Sequence, residues 1–118
     1  MENLNQNIEN HYLKEELYED ILNRLKEQGI DLSEVKRSDI AGVDEFHVRG
    51  AAVSKELADS LNLEGATVLD VGCGIGGPCR MLADEYNCQV TGLDLSNEYI
   101  RTAKELSKLV KLDSKTSF

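Results

Sequence analysis

Val68-Leu69-Asp70-Val71-Gly72-Cys73-Gly74-Ile75-Gly76-Gly77-Pro78 decides the fold of this chain. Read left to right, it is a short apolar strand, a glycine-rich turn and the start of a helix. A strand that turns sharply into a helix needs backbone angles closed to residues with a Cβ, and a ligand that lies directly on the main chain needs bare backbone. Gly72, Gly74 and Gly76 are spaced to supply both, and Gly77 allows close packing of helix on strand. Pro78 suits the first helical position, where its missing N–H costs nothing. The helix then opens with free N–H groups and a partial positive charge, which suits a carboxylate or a phosphate. A second apolar run, Val90-Thr91-Gly92-Leu93, ends in Asp94. Strand, glycine turn, helix, strand and terminal acid make half of a nucleotide-binding site.

The loop satisfies two patterns at once. Gly72, Gly74 and Gly77 match the G-x-G-x-x-G of dinucleotide enzymes, whereas Asp70 with Gly72, Gly74 and Gly76 matches D-x-G-x-G-x-G. Asp70 separates the two. A carboxylate at the strand end repels a diphosphate and suits a ligand that carries positive charge. S-adenosylmethionine (SAM), with a sulfonium, an ammonium, one carboxylate and no phosphate, is such a ligand. Asp94 serves either ligand, because an acid at the end of the second strand accepts both ribose hydroxyl protons.

At these residues the chain resembles the class I SAM-dependent methyltransferases. Val68 to Gly76 is similar to their first motif and Val90-Thr91-Gly92-Leu93-Asp94-Leu95-Ser96 to their second. Gly76-Gly77-Pro78-Cys79-Arg80 and the upstream Glu45-Phe46-His47-Val48-Arg49-Gly50 resemble runs of the branch that includes the sarcosine/dimethylglycine and quinone-biosynthesis methyltransferases. The likeness covers roughly Asp44 to Leu109. It implies an α/β fold, the N-terminal portion of a Rossmann-like doubly wound parallel sheet with extra N-terminal helices. It also implies roles. Gly72, Cys73, Gly74 and Gly76 would line the methionine end of SAM, and Asp70 would hold the loop and approach the amino group. Asp94 would take the ribose hydroxyls, with Leu95 beside the adenine. The third acidic motif of the family, which contacts the adenine, should follow the third strand, and that strand is expected to begin where the chain stops at Phe118, so the sheet is expected to be incomplete. The chain then reads as the first part of a longer methyltransferase.

Bulk properties narrow the partners. With 118 residues the chain is one domain in length. No apolar run approaches a membrane span, and Met1-Glu2-Asn3-Leu4 opens no signal peptide, so a cytoplasmic protein is expected. A net charge of -9 repels phosphate backbones, which favours a small-molecule acceptor over nucleic acid. Cys73, Cys79 and Cys88 form no C-x-x-C pair, so no metal site is expected and the thiols read as buried. No activating His lies near any of them in sequence, which disfavours a catalytic cysteine.

Along the chain, residues 1–43 read as an N-terminal helical extension and 44–118 as the first half of the SAM-binding domain. Leu4 to Gln28 reads as one amphipathic helix stopped by Gly29. It is either a packing helix or a lid that carries Tyr12 or Tyr18 toward the acceptor. Asp31 and Glu34 have capping-box spacing for a short helix to Ile40, and Ala41 to Asp44 reads as a turn. A helix is expected over Phe46 to Leu61, with Val48, Ala51, Ala52, Leu57, Ala58 and Leu61 on its apolar side. Strands are expected at Thr67 to Val71, buried on both faces, and at Gln89 to Leu93, with a helix between them from Pro78 to Tyr86. Ser96 caps a last helix whose buried side carries Tyr99, Ile100, Ala103, Leu106 and Leu109. His47 is the weak candidate for a catalytic base, against a capping or packing role.

With its later strands missing, the Thr67–Val71 edge would expose unpaired N–H and C=O groups, so self-association through that edge is expected. The preferred reading is a fragment of a SAM-dependent methyltransferase acting on a small molecule. Its rivals are a non-catalytic SAM-binding or assembly module and an NAD-binding oxidoreductase fragment.

Overall fold

The computed structural model of the chain describes residues 16–44 and 51–118. In chain order these form helix α1 (Leu17–Glu27), a 3-10 turn (Arg37–Ile40), α2 (Ala41–Asp44), α3 (Ala51–Leu61), strand β1 (Thr67–Val71), α4 (Gly77–Glu85), β2 (Gln89–Leu93), α5 (Asn97–Leu109) and β3 (Thr116–Ser117). Strands β1 and β2 fall where the apolar runs place them. They pair in parallel, from Thr67 opposite Gln89 to Val71 opposite Leu93, and α4 makes the crossover that parallel pairing requires. The sheet is α/β and Rossmann-like, in the order β1-β2-β3. The third strand begins earlier than expected, since Thr116 and Ser117 already pair in parallel with Val90 and Thr91.

Two apolar clusters hold the elements together. Under the sheet, Cys73, Cys79, Cys88 and Val90 are buried, with Val68, Leu82, Tyr86, Ile100 and Phe118 packed against them. All three cysteines are free and serve as small apolar fillers. The second cluster joins α1, the 3-10 turn and α5 through Ile21, Leu25, Val35, Ile40 and Leu106. Ile75, from the glycine loop, packs against this cluster, so the loop is buttressed from the N-terminal side.

Helix α1 is docked by charge as well as by apolar contact. Glu98, nearly buried at the start of α5, accepts a hydrogen bond from the Leu17 N–H at 3.3 Å, which puts a carboxylate on the helix N-terminus. Arg101 reaches Glu19 at 3.0 Å and lowers the Glu19 carboxyl pKa through that hydrogen bond. Gly29, with φ +78°, ends the helix as expected: its N–H bonds the Lys26 carbonyl and the Ile30 N–H bonds the Leu25 carbonyl. The part of the predicted helix before Glu16, with Ile8 and Tyr12, lies outside the described residues.

Several expectations are corrected. No helix starts at Asp31, because its carboxylate accepts from the Ser33 N–H and hydroxyl and so closes a local turn. Between Asp31 and Ile40 the helical piece is the 3-10 turn, entered where Asp39 accepts from the Lys36 N–H. Ala41–Asp44, read as a turn, is helical. Of the apolar side expected for α3, Ala58 is buried while Leu57 and Leu61 are 59% and 60% exposed, and the side chains of Val48, Ala51 and Ala52 lie outside the described residues. Strand β1 is not covered on both faces either: Leu69 and Val71 are 60% and 75% exposed. In α5, Ser96 caps the helix by accepting from the Tyr99 N–H. Ala103 and Leu106 are fully buried there, beside Thr102 and Ser107, and Tyr99, Ile100 and Leu109 are half-buried. Among the described residues no helix is long and apolar enough to cross a membrane.

Candidate functional site

The carboxyl ends of β1 and β2 bring the glycine loop, Asp70 and Asp94 to one edge of the sheet, the edge where open α/β sheets bind ligands. Gly72, Gly74 and Gly76 have φ of +76°, +58° and +85°, a region that other residues enter only with strain. At Gly72 and Gly74 an added Cβ would meet nothing within 4 Å, so this part of the loop presents bare backbone to open space. Gly76 is different. A Cβ there would lie 2.8 Å from the Phe118 ring and 3.0 Å from Arg80 Nη1, so glycine at this position makes room for protein rather than for ligand. Gly92 is equally crowded, by Cys73 Sγ and Phe118 at 2.8 Å.

The hydrogen bonds of the loop are mostly internal. The N–H groups of Gly72 and Cys73 both donate to the Leu93 carbonyl, at 2.7 and 2.9 Å. The Gly76 N–H donates to the Cys73 carbonyl. The Gly74 N–H donates to Asp94 Oδ2 at 2.9 Å, and Asp94 Oδ1 accepts from the Ser96 N–H at the same distance. Asp94 is therefore the residue that clamps the loop, a duty the sequence reading gave to Asp70. Asp70 accepts from the Cys79 thiol at 3.3 Å and stays half-buried beside the loop. Burial, and then the Asp70 charge, push the Cys79 thiol far above its ordinary pKa. The same two causes, followed by Asp94, raise that of Cys73, whose side chain points inward against Gly92. Both thiols are held protonated, which leaves them poor nucleophiles. Only the backbone of Cys73 faces the loop's open side.

Apolar side chains flank the acids. Leu93 is 48% exposed and Leu95, next to Asp94, is fully exposed, an arrangement that suits a flat ring laid against it. A cleft of about 480 Å³ lined by Val35, Lys36, Arg37, Asp84, Val110 and Leu112 involves none of these residues; at the loop, the exposed Gly72, Leu93 and Leu95 form an open shelf. His47 and Tyr12 lie outside the described residues. Tyr18 is half-buried against the α1 cluster, and burial followed by Glu105 and Glu19 raises its phenol pKa.

Two residues were missed. Arg80, fully buried, donates to the Ile75 carbonyl in the loop and to the Ala103 carbonyl and Ser107 hydroxyl of α5. Its signal was the Gly-Gly-Pro-x-Arg run, in which a charged residue stands one helical turn from Gly76. Phe118, whose ring covers Gly76 and Gly92, left no sequence signal beyond being an aromatic residue in a polar tail.

Comparison with known proteins points to methyltransferases. The profile of a methyltransferase domain family matches residues 68–116. The chain is 54% identical over 43 residues to the 2-methyl-6-phytyl-1,4-hydroquinone methyltransferase of Synechocystis sp., a match covering 36% of this chain and 14% of that protein. It is 49% identical over 59 residues to phosphoethanolamine N-methyltransferase 1 of Zea mays, covering 49% and 12%. A SAM-dependent methyltransferase from Geobacter sulfurreducens, solved with S-adenosyl-L-homocysteine, superposes with a TM-score of 0.51 at 29% identity, over 55% of this chain and 26% of that one. The chain thus spans well under a third of the length of these relatives.

Proposed function

We propose, for a chain that belongs to the class I SAM-dependent methyltransferases and carries part of their domain, that it binds SAM on its glycine loop and serves methyl transfer to a small molecule. One observation carries the reading. The loop stands between two carboxylates, and the N–H groups of Gly72, Cys73, Gly74 and Gly76 are already committed to Leu93, Asp94 and Cys73 acceptors. A diphosphate needs free amides and no adjacent anion. A sulfonium ligand with an ammonium group needs acids and bare backbone. The residues present fit SAM in this sense. Gly72 and Gly74 leave space for its methionine end, Asp70 attracts its amino group, Asp94 retains lone pairs for ribose hydroxyls, and Leu95 offers an apolar rest for adenine.

Bound there, SAM supplies an electrophilic methyl group on sulfur. The chain contributes alignment and partial exclusion of water. Asp70 and Asp94 bind and do no bond-making. His47 is the candidate base for the acceptor. A net charge of -9 favours a small neutral or cationic acceptor over nucleic acid. Three buried free thiols are in keeping with a reducing compartment, the cytoplasm, as the place of work.

Calorimetry with SAM and NAD side by side tests the assignment. Binding of SAM with no binding of NAD is expected, and tighter binding of NAD would overturn it. Transfer of labelled methyl from SAM to amines or quinols separates an enzyme from a binding module, since affinity without turnover favours the module.

The uncovered edge of β1 adds a second expectation. Leu69 and Val71 stand exposed on a strand that, among the described residues, is bonded on one side only, and Leu57 and Leu61 of α3 are exposed as well. We propose that copies of this chain pair through that edge. Sedimentation velocity at low micromolar concentration should show dimers or larger species, and a clean folded monomer would defeat the idea.

A further inference from the structure

A guanidinium buried completely is costly unless hydrogen bonds replace its water. Arg80 is 0% exposed, and its bonds include the Ile75 carbonyl in the glycine loop and, both at 3.2 Å in α5, the Ala103 carbonyl and the Ser107 hydroxyl. The loop bond falls on the peptide joining Ile75 to Gly76. The other end of that peptide, the Gly76 N–H, is held by the Cys73 carbonyl. Both polar ends of one peptide plane are therefore fixed, and the plane sits at the left-handed Gly76. The same guanidinium lies 3.0 Å from the position a Gly76 Cβ would take. Meanwhile the Ile75 side chain packs into the cluster shared by α1 and α5.

We propose that Arg80 is a positioning residue for the cofactor. It locks the Ile75–Gly76 peptide to α5, so that the open face at Gly72 and Gly74 has the shape SAM needs before SAM arrives. The inference deepens the SAM-binding reading and rests on it. Preorganisation of this kind improves affinity because less ordering remains to be done on binding. Ser107 provides the contrast. It accepts from the same guanidinium and is 1% exposed, but it stands on α5 and not in the loop.

Three variants of the full chain decide the matter: Arg80→Met, Arg80→Lys and Ser107→Ala. Each is read by SAM calorimetry, by the thermal midpoint without ligand, and by amide hydrogen exchange at Gly76 without ligand. Arg80→Met should weaken SAM binding at least tenfold and speed Gly76 exchange relative to the sheet amides. Arg80→Lys, which keeps the charge but lacks the fork, should recover part of both. Ser107→Ala should lower the midpoint while leaving SAM affinity within about twofold. Wild-type affinity in folded Arg80→Met, or an equal loss in Ser107→Ala, would overturn the proposal. If Arg80→Met fails to fold, Arg80→Lys decides: faster Gly76 exchange with weakened SAM supports the role, and wild-type values for both refute it. If the unaltered chain does not bind SAM, the functional reading fails, and Gly76 exchange alone decides whether Arg80 orders the loop.

Discussion

Gly74→Val should leave the chain folded yet abolish measurable SAM binding, whereas Gly76→Ala should mainly destabilise the fold. The two glycines look alike in sequence and differ in what surrounds them. A Cβ at Gly74 meets nothing within 4 Å, so the main cost there is the strain of a positive φ, about 1–2 kcal/mol. It does, however, fill the space where a cofactor would lie on the main chain. A methyl group at Gly76 has the same strain and also meets Phe118 at 2.8 Å and Arg80 at 3.0 Å. Overpacking adds about 1–3 kcal/mol, so the total reaches roughly 2–5 kcal/mol against a usual stability of about 5–15 kcal/mol. The Phe118 ring can turn aside more readily than a guanidinium held by the loop and by α5. Adding Phe118→Ala to Gly76→Ala should therefore recover part of the packing loss and none of the backbone strain. Denaturant midpoints and SAM calorimetry on the same preparations check both. Retained SAM affinity in folded Gly74→Val would mean that no ligand rests on that part of the loop.

That contrast marks how far the sequence could be read. Strands β1 and β2, the turn between β1 and α4, and the Ser96 cap follow from short-range rules, and each sits where apolar runs, glycines and a hydroxyl put it. Residues 31–44 were misread because two local options competed. The Asp31 carboxylate had a closer partner in Ser33 than in a helix N-terminus, and Val35 and Ile40 were drawn into a cluster with α1 and α5 that no local pattern announces. Burial of polar groups was the harder problem. Arg80, Glu98, Thr102 and Ser107 would be assigned to water by type, yet each is buried with long-range or helix-backbone partners. Conversely, the apolar Leu69 and Val71 are exposed: they alternate onto one face of β1, the face left to solvent among the described residues. At the site, spacing brought Asp70, Asp94 and the glycines together correctly. The division of labour between the two acids depended on which carboxylate the Gly74 N–H faces, and that is a matter of three-dimensional direction.

Asp94→Ala should therefore lose more than a ribose contact. Its two oxygens hold the Gly74 and Ser96 N–H groups, one in the loop and one at the N-cap of α5. Hydrogen bonds to a charged acceptor are worth roughly 1.5–3 kcal/mol each. Asp94 is only half-buried, so water replaces part of that, and a stability loss of about 1–3 kcal/mol is expected. SAM affinity should fall by a further ~1–3 kcal/mol, roughly tenfold to a hundredfold, because the ribose loses its acceptor and the loop its anchor. Asp94→Asn separates the two effects. Its single carbonyl oxygen can keep one of the two N–H bonds, while its amide hydrogens point at the other donor. Stability should then fall less than in the alanine variant, and affinity should fall by a similar amount. If Asp94→Asn binds SAM as tightly as the unaltered chain, the carboxylate is a loop clamp alone. The ribose would then have to be held elsewhere on the shelf, and the electrostatic case against a diphosphate would rest on Asp70.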